Sequence, residues 1–434
     1  MMEFPENFKF GWSQSGFQFE MGGGSPLDQN SDWFKWVHDK ENIISGLVSG
    51  DLPENGVGYL KNYAFFHQEA KRMGLNAVRV GVEWSRLFPE KGSFNEDVIN
   101  TYGQILKDLK DKGFHVILNL YHWSMPLWLH DPIMVRKGKF ERSGWLMEST
   151  LDHFQEFVES SVKSLDDLVD EYVIVNEPNV IWKAGFVLTR MGFPPSYLDF
   201  EKAEIVKENL MKACNLAYKS IKGITKKKVG IVYAMADIQG DEEVKEKAKM
   251  EEEFSFLDGV NWDWLGVNYY TRIVVEPIGE NFTVKRGLGM YAQGYSTSLE
   301  GRVVSDNGWE VYPEGIRNVL LESWRRYGKE IYVTENGVSD SKDMIRPWYI
   351  VSHLYYVRKA MGEGVPVKGY LHWSLVDNYE WSSGFSQRFG LMGMDFKSRK
   401  AWWRPSAYLY KEIATSREID KRMLNYLNLS DSVE

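Results

Sequence analysis

The sequence predicts an α/β fold, a single (β/α)8 barrel with extended βα loops spanning residues 1–434. Three observations point there. One unit recurs along the chain: an amphipathic helix, a glycine stop and a short β-branched run. Eight such runs can be placed, the number that closes a barrel. The glycine-rich phosphate turn that opens an ordinary doubly wound sheet is missing.

The elements follow in order. Phe10–Ser15 reads as the first strand. A helix over Tyr59–Met73 stops at Gly74, before the strand Ala77–Gly81. Residues Asn95–Lys112 put Val98, Ile99, Tyr102, Ile105, Leu106 and Leu109 on one helical stripe; Gly113 ends it and His115–Tyr121 follows as a strand. Tyr172–Val175, Val229–Ala234 and Trp264–Val267 are the next three strands, with a helical pattern at Leu210–Ala217. A helix over Pro313–Tyr327 stops at Gly328 before Ile331–Thr334, and a helix over Ile345–Met361 precedes Val367–Trp373. Every strand but the last is followed by enough chain for a crossover helix. Gly22–Gly24 comes nearest to a phosphate turn but opens no helical pattern. The acidic stretch Asp241–Glu253 is interleaved with lysines and reads as a solvated helix surface. No linker or low-complexity tract divides the chain.

Composition narrows the function. The chain is 43% hydrophobic and 26% charged, enough apolar material for a large core. Its formal charge of −9 argues against nucleic acid or an anionic membrane as partner, since both require basic patches, and favours a small neutral or cationic substrate. Cys214 is the only cysteine, so no intrachain disulfide forms, and in a helical pattern it reads as a core filler. The segment Met1–Phe10 lacks the basic-then-apolar pattern of a signal peptide, and no apolar run reaches membrane-spanning length; the expected location is the cytoplasm. Seventeen tryptophans within 15% aromatic content serve the core and also suit stacking on sugar rings.

In such a barrel the site lies at the C-terminal ends of the strands, and these ends are polar: Tyr121-His122-Trp123, Asn176-Glu177-Pro178, Asn268-Tyr269-Tyr270 and Glu335-Asn336-Gly337. Two glutamates therefore face one mouth, each beside an asparagine. Acetal cleavage needs such a pair, one carboxyl to protonate the leaving oxygen and one to stabilise or trap the oxocarbenium-like centre; a retaining mechanism sets them about 5 Å apart. The structural alternative is that each glutamate caps a helix or joins an ion pair. A metal near His122 and His372 is the chemical alternative, but there is no His-Glu-x-x-His and no cysteine pair. No metal and no cofactor is expected.

The sequence resembles glycoside hydrolase family 1 over essentially its whole length, and its archaeal β-glycosidases in particular. The resemblance is carried by residues Phe8–Gln18, Arg79, Glu83-Trp-Ser-Arg86, Tyr121-His-Trp123, Asn176-Glu-Pro178, Asn268-Tyr-Tyr270, Thr334-Glu-Asn-Gly337, His372-Trp-Ser374 and Asn378-Tyr-Glu-Trp381. It implies that Glu335 is the nucleophile and Glu177 the general acid/base. Arg79 and Tyr270 would keep Glu335 ionised, and the Glu335 charge would keep Glu177 protonated. Asn176 would donate to the sugar 2-hydroxyl, and His122 and Trp123 would bind sugar hydroxyls. Gln18 and Glu380 would hold the outer hydroxyls, Trp381 would donate its indole N–H, and Trp373 would form the stacking floor. Plainer readings are core for Trp373, a turn for Gln18 and surface for Glu380. The implied activity is a retaining β-glycosidase releasing terminal β-D-glucosyl, β-D-galactosyl or β-D-fucosyl residues from small glycosides or oligosaccharides. Self-association is left open. The rivals are a 6-phospho-β-glycosidase, against which Glu380-Trp381 stands, and an inactive sugar-binding barrel, against which the two glutamates stand. A plant thioglycoside branch resembles the family but carries glutamine where this chain has Glu177. The connection between Ala234 and Trp264 is shorter than in the archaeal members, which leaves the aglycone side and any subunit contacts there unassigned.

Overall fold

The structure, a computed structural model, describes residues 2–293 and 297–427. Eight parallel strands form a closed ring: β1 (Lys9–Ser13), β2 (Ala77–Gly81), β3 (His115–Tyr121), β4 (Glu171–Asn176), β5 (Val229–Gly240), β6 (Trp264–Ile278), β7 (Ile331–Glu335) and β8 (Val367–His372). Each pairs with its sequence neighbours, and β8 returns to β1, so no edge is left within the ring. A helix follows every strand: α1 (Tyr59–Arg72), α2 (Glu96–Asp111), α3 (Thr150–Leu165), α4 (Phe200–Ile224), α5 (Glu242–Lys249), α6 (Glu314–Tyr327), α7 (Arg346–Gly362) and α8 (Pro405–Ser416). This is the (β/α)8 barrel expected from the sequence.

The glycine stops act as the sequence predicts. Gly74 and Gly113 take φ of 73° and 85°, and the next amides, of Leu75 and Phe114, reach back to the carbonyls of Ala70 and Leu109, closing α1 and α2.

Inside the ring Ala77, Ile117, Val173, Val232, Trp264, Tyr332 and Leu371 pack as one layer contributed by seven strands. The Trp264 and Tyr332 rings meet edge to face at 4.9 Å. Side chains alternate across a strand, so two residues further along lies the next inward layer, and there the interior turns polar with Arg79, Asn119 and Thr334. The site stands on an apolar, packed floor.

Two features depart from the expectation. Strands β5 and β6 do not stop at Ala234 and Val267; their pairing continues to Gly240 opposite Val275, and Asn281–Val284 folds back antiparallel on the end of β6. Ile238 and Val275 on this ribbon bury Val244 and Ala248 of α5. The acidic stretch Asp241–Glu253 is largely surface, but Glu253 is buried, accepting a hydrogen bond from the Ala236 amide at 2.9 Å. No helix among the described residues is long and apolar enough to cross a membrane.

Candidate active site

Arg79 organises the mouth of the barrel. Its side chain is fully buried, and a buried guanidinium must place its N–H groups on acceptors. Nε donates to Ser13 Oγ at 3.2 Å, Nη1 to Asn176 Oδ1 at 2.9 Å and Asn119 Oδ1 at 3.3 Å, and Nη2 to Glu335 Oε1. The second oxygen of Glu335 accepts from the Tyr270 hydroxyl at 2.7 Å.

Glu177 sits at the turn from β4 into the short helix Pro178–Phe186, with φ 46° and ψ 63°. Proline at the next position starts that helix, and the left-handed turn before it aims the glutamate into the mouth. The side chain makes no capping hydrogen bond, which removes the helix-cap reading. Its Oε1 accepts from Asn268 Nδ2 at 2.9 Å. The same amide nitrogen donates to Asn176 Oδ1 at 3.1 Å, and Asn268 Oδ1 accepts from the Thr334 hydroxyl at 2.7 Å. Two amides therefore connect Glu177 to the arginine that holds Glu335.

The two carboxyls differ in electrostatic support. Burial pushes Glu177 up to about 8, the repulsion of Glu335 adds to it, and only Asn268 and the field of Arg79 oppose it. Burial is thus the larger cause, ahead of the Glu335 charge that the family resemblance brings forward. Burial also raises Glu335, but that carboxyl has the Arg79 ion pair and the Tyr270 hydrogen bond directly against it. Glu335 thus ionises first.

Around this pair, His122 is held neutral by burial and by the neighbouring Arg79. Its tautomer follows from the network. Arginine only donates, so Asn176 Oδ1 faces Arg79 and Asn176 Nδ2 faces His122 Nε2, at 3.0 Å. Nε2 must accept, so the ring proton is on Nδ1, which is buried without a protein partner among the described residues. Trp123 donates its indole N–H to the Asn176 carbonyl at 2.9 Å, so that group is committed to backbone and only the ring face remains for other contacts. Gln18 Nε2 donates to Glu380 Oε2 at 3.3 Å and Asn378 Oδ1 at 3.2 Å, while Ser15 donates to Gln18 Oε1 at 2.7 Å. Glu380 is partly exposed, and burial followed by repulsion from Glu335 pushes it up to about 8. Trp381 stacks on Phe17 at 5.5 Å with planes 6° apart. Trp373 is buried with Phe19 edge-on at 6.0 Å.

The model of Glycosyl hydrolase family 1 matches residues 1–259 and 242–419 of this chain. The chain belongs to glycosyl hydrolase family 1. A β-galactosidase of Sulfolobus acidocaldarius is 46% identical over 482 aligned positions, covering 99% of this chain and 98% of that protein. The crystal structure of the β-glycosidase from Thermosphaera aggregans superposes with a TM-score of 0.95 at 42% identity, covering 98% of this chain and 99% of the other. The hyperthermophilic β-glucosidase from Pyrococcus furiosus gives 0.92 at 43% identity, with 98% and 99% covered. The family 1 membership makes the chain a glycoside hydrolase.

For this family 1 hydrolase the network joins Arg79, Asn176, Glu177, Tyr270, Glu335 and His122, while Gln18, Glu380, Trp381, Trp373 and Trp123 lie around it through shared contacts. The flanking asparagines are not equivalent. Asn336 donates to the Tyr269 carbonyl at 2.8 Å and accepts from Tyr370 at 2.7 Å, bracing the backbone behind Glu335. His372, named with His122 in the metal alternative, meets the Tyr370 hydroxyl at 3.2 Å. Sequence reasoning missed Asn268, Asn119, Ser13 and Thr334. The signal was present, since Asn268 heads the Asn-Tyr-Tyr run, Ser13 and Asn119 sit on the two strands beside Arg79, and Thr334 directly precedes Glu335.

Proposed function

We propose that this hydrolase is a retaining β-glycosidase in which Glu335 is the nucleophile and Glu177 the general acid/base. The single observation that carries the reading is the asymmetry of the two carboxyls. Glu335 has an arginine and a tyrosine directly on its oxygens, whereas Glu177 has one neutral amide and is pushed up to about 8. Such a divergence assigns the ionised partner and the proton-bearing one.

In the first step Glu335 attacks the anomeric carbon while Glu177 gives its proton to the departing glycosidic oxygen, leaving a glycosyl ester on Glu335. The negative charge next to Glu177 then disappears, its proton affinity falls, and the carboxylate takes a proton from water as that water opens the ester. Arg79 and Tyr270 hold the nucleophile in place, and Asn176 Nδ2 is the group that faces the sugar 2-hydroxyl. His122 through Nδ1–H, Gln18, Glu380 and Trp381 take the remaining hydroxyls, with Trp373 and the Trp123 ring supplying apolar faces.

The substrates are small glycosides or oligosaccharides ending in β-D-glucosyl, β-D-galactosyl or β-D-fucosyl residues; the β-galactosidase and β-glucosidase names of the relatives above support the first two. The chain serves as one hydrolase unit and works in the cytoplasm. Proton NMR of the earliest product from a β-glycoside tests the mechanism. The β-anomer is expected first, and initial α-anomer would exclude a covalent intermediate.

A further inference from the structure

A carboxyl that must both give and take a proton during one catalytic cycle has two oxygens, and nothing in the carboxyl itself says which one does the work. In this structure the choice is made by neighbours. Asn268 Nδ2 donates to Glu177 Oε1, and since the carbonyl oxygen of a protonated carboxyl is a better acceptor than its hydroxyl oxygen, this contact favours the proton on the other oxygen.

We infer that Asn268 is a positioning residue that reserves Oε1 of Glu177 and thereby assigns the transferable proton to Oε2, with Asn176 and Thr334 fixing the direction of its amide. The inference rests on the proposed acid/base role of Glu177 and goes beyond it.

The direction of the amide is determined from both ends. Arg79 donates to Asn176 Oδ1, so that atom is an acceptor and needs an N–H from Asn268; a reversed Asn268 would set oxygen against oxygen there. At the other end the Thr334 hydroxyl donates to Asn268 Oδ1. Thr334 precedes Glu335 on β7, and its own carbonyl accepts from Ser13, so the hydroxyl belongs to a fixed backbone. Reversal would also turn a carbonyl oxygen toward Glu177 and remove the one side-chain donor on it. The charged and titratable groups facing Glu177 are Glu335, Arg79 and the Tyr270 hydroxyl across the mouth and Glu380 from the loop after β8. Asn268 is the amide that touches Glu177 directly, able to orient the carboxyl without contributing charge.

The test compares pH profiles of kcat/KM and leaving-group dependence for wild type, Asn268→Ala, Thr334→Val and Glu177→Gln, on a β-glucoside with an alkyl leaving group and on the 2,4-dinitrophenyl glucoside. Asn268→Ala is expected to move the basic limb upward by about half a pH unit or more, because a donor to the carboxylate has been lost. It should lose roughly tenfold on the alkyl glycoside, which needs the proton, and less than about threefold on the activated one. Thr334→Val should move both readouts in the same direction by a smaller amount. If Asn268→Ala does not fold by circular dichroism, Thr334→Val decides the matter on the same two readouts. An unmoved basic limb together with equal losses on both substrates overturns the inference. Glu177→Gln separates the two levels: if it retains the basic limb and still cleaves the alkyl glycoside well, the acid/base reading itself fails, independently of Asn268.

Discussion

Arg79 and Glu335 form an ion pair at the mouth of the barrel in which neither side chain has appreciable contact with solvent. A buried pair of this kind is weak evidence for stability, because desolvating both charges offsets most of their attraction. Its effect is on acidity: Arg79 pulls the proton affinity of Glu335 down against the burial that raises it.

Removing each carboxyl in turn should separate the roles. Glu335→Gln is expected to lower kcat for every β-glycoside by several orders of magnitude, with the far-ultraviolet circular dichroism unchanged. Glu177→Gln should retain most activity on 2,4-dinitrophenyl glycosides at the first step and lose it on alkyl glycosides, by roughly 100-fold or more. Equal losses on both substrate types would reject the acid role of Glu177.

The pH profile follows from the same asymmetry. Glu177 is raised to about 8, and in the proposed role it acts in its protonated form, so kcat/KM is expected to hold below that value and fall as pH rises through about 8. Deleting the neighbouring charge in Glu335→Gln should lower the Glu177 titration, which carboxyl-selective NMR can follow. A Glu177 titration that stays put in that variant would remove Glu335 as a contributor.

Glu380, in the proposed sugar-binding role, is expected to discriminate between neutral and phosphorylated sugars. Two unit charges about 4 Å apart in a partly screened site repel by about 4 kcal/mol, and by less here because Glu380 is partly exposed. With its carboxyl raised to about 8, that repulsion should grow as pH rises. Wild type is expected to prefer a nitrophenyl β-glucoside to its 6-phosphate throughout, with the preference widening between about pH 6 and pH 9 and shrinking in Glu380→Ser. Both glucosides and galactosides should turn over, since a carboxyl can follow either orientation of the 4-hydroxyl. A wild-type preference for the phosphate would remove Glu380 from the sugar-binding set.

Stability should carry a separate signature from Glu253. Burial raises this carboxyl to about 8, so its protonated form fits the folded state better than the charged one. The stabilisation is complete below the unfolded value of about 4.3 and is lost as pH rises through about 8. Glu253→Gln keeps an acceptor for the Ala236 amide and has no charge to bury. Its Tm relative to wild type should increase from pH 5 to pH 9, reflecting a stability difference on the order of 4 kcal/mol at the upper end. A difference in Tm that does not vary with pH would show that Glu253 does not titrate in this range.

The strands from Ala77 and His115 were legible because β-branched runs follow glycine stops, a local pattern. The extensions of β5 and β6 were not. Beyond Val267 the run Asn-Tyr-Tyr-Thr-Arg mixes polar and aromatic residues, and only the partner strand makes it a ladder. Glu177, Glu335 and Arg79 could be placed at strand ends from the sequence, and the structure brings them together. The amide network could not be placed, because Asn268 meets Glu177 from 91 positions away and Thr334 from 66, contacts that exist only once the ring has closed. The commitment of the Trp123 indole N–H was hidden for the same reason, since its acceptor is a backbone carbonyl on another strand. Glu253 misled because charge pattern alone cannot report which carboxylate of an acidic helix turns inward.

The left-handed backbone at Trp123, Glu177 and Trp381 has a practical consequence for anyone improving this protein. Glycine adopts that conformation without penalty, whereas a side chain there costs on the order of 1–3 kcal/mol. Glu177 also carries the expense of a carboxyl raised to about 8 by burial. A selection for heat resistance alone would therefore favour replacing Glu177 with glycine, and in the proposed mechanism the winners would be durable and poor at cleaving unactivated glycosides. Library screens on this scaffold need turnover and survival measured on the same clone.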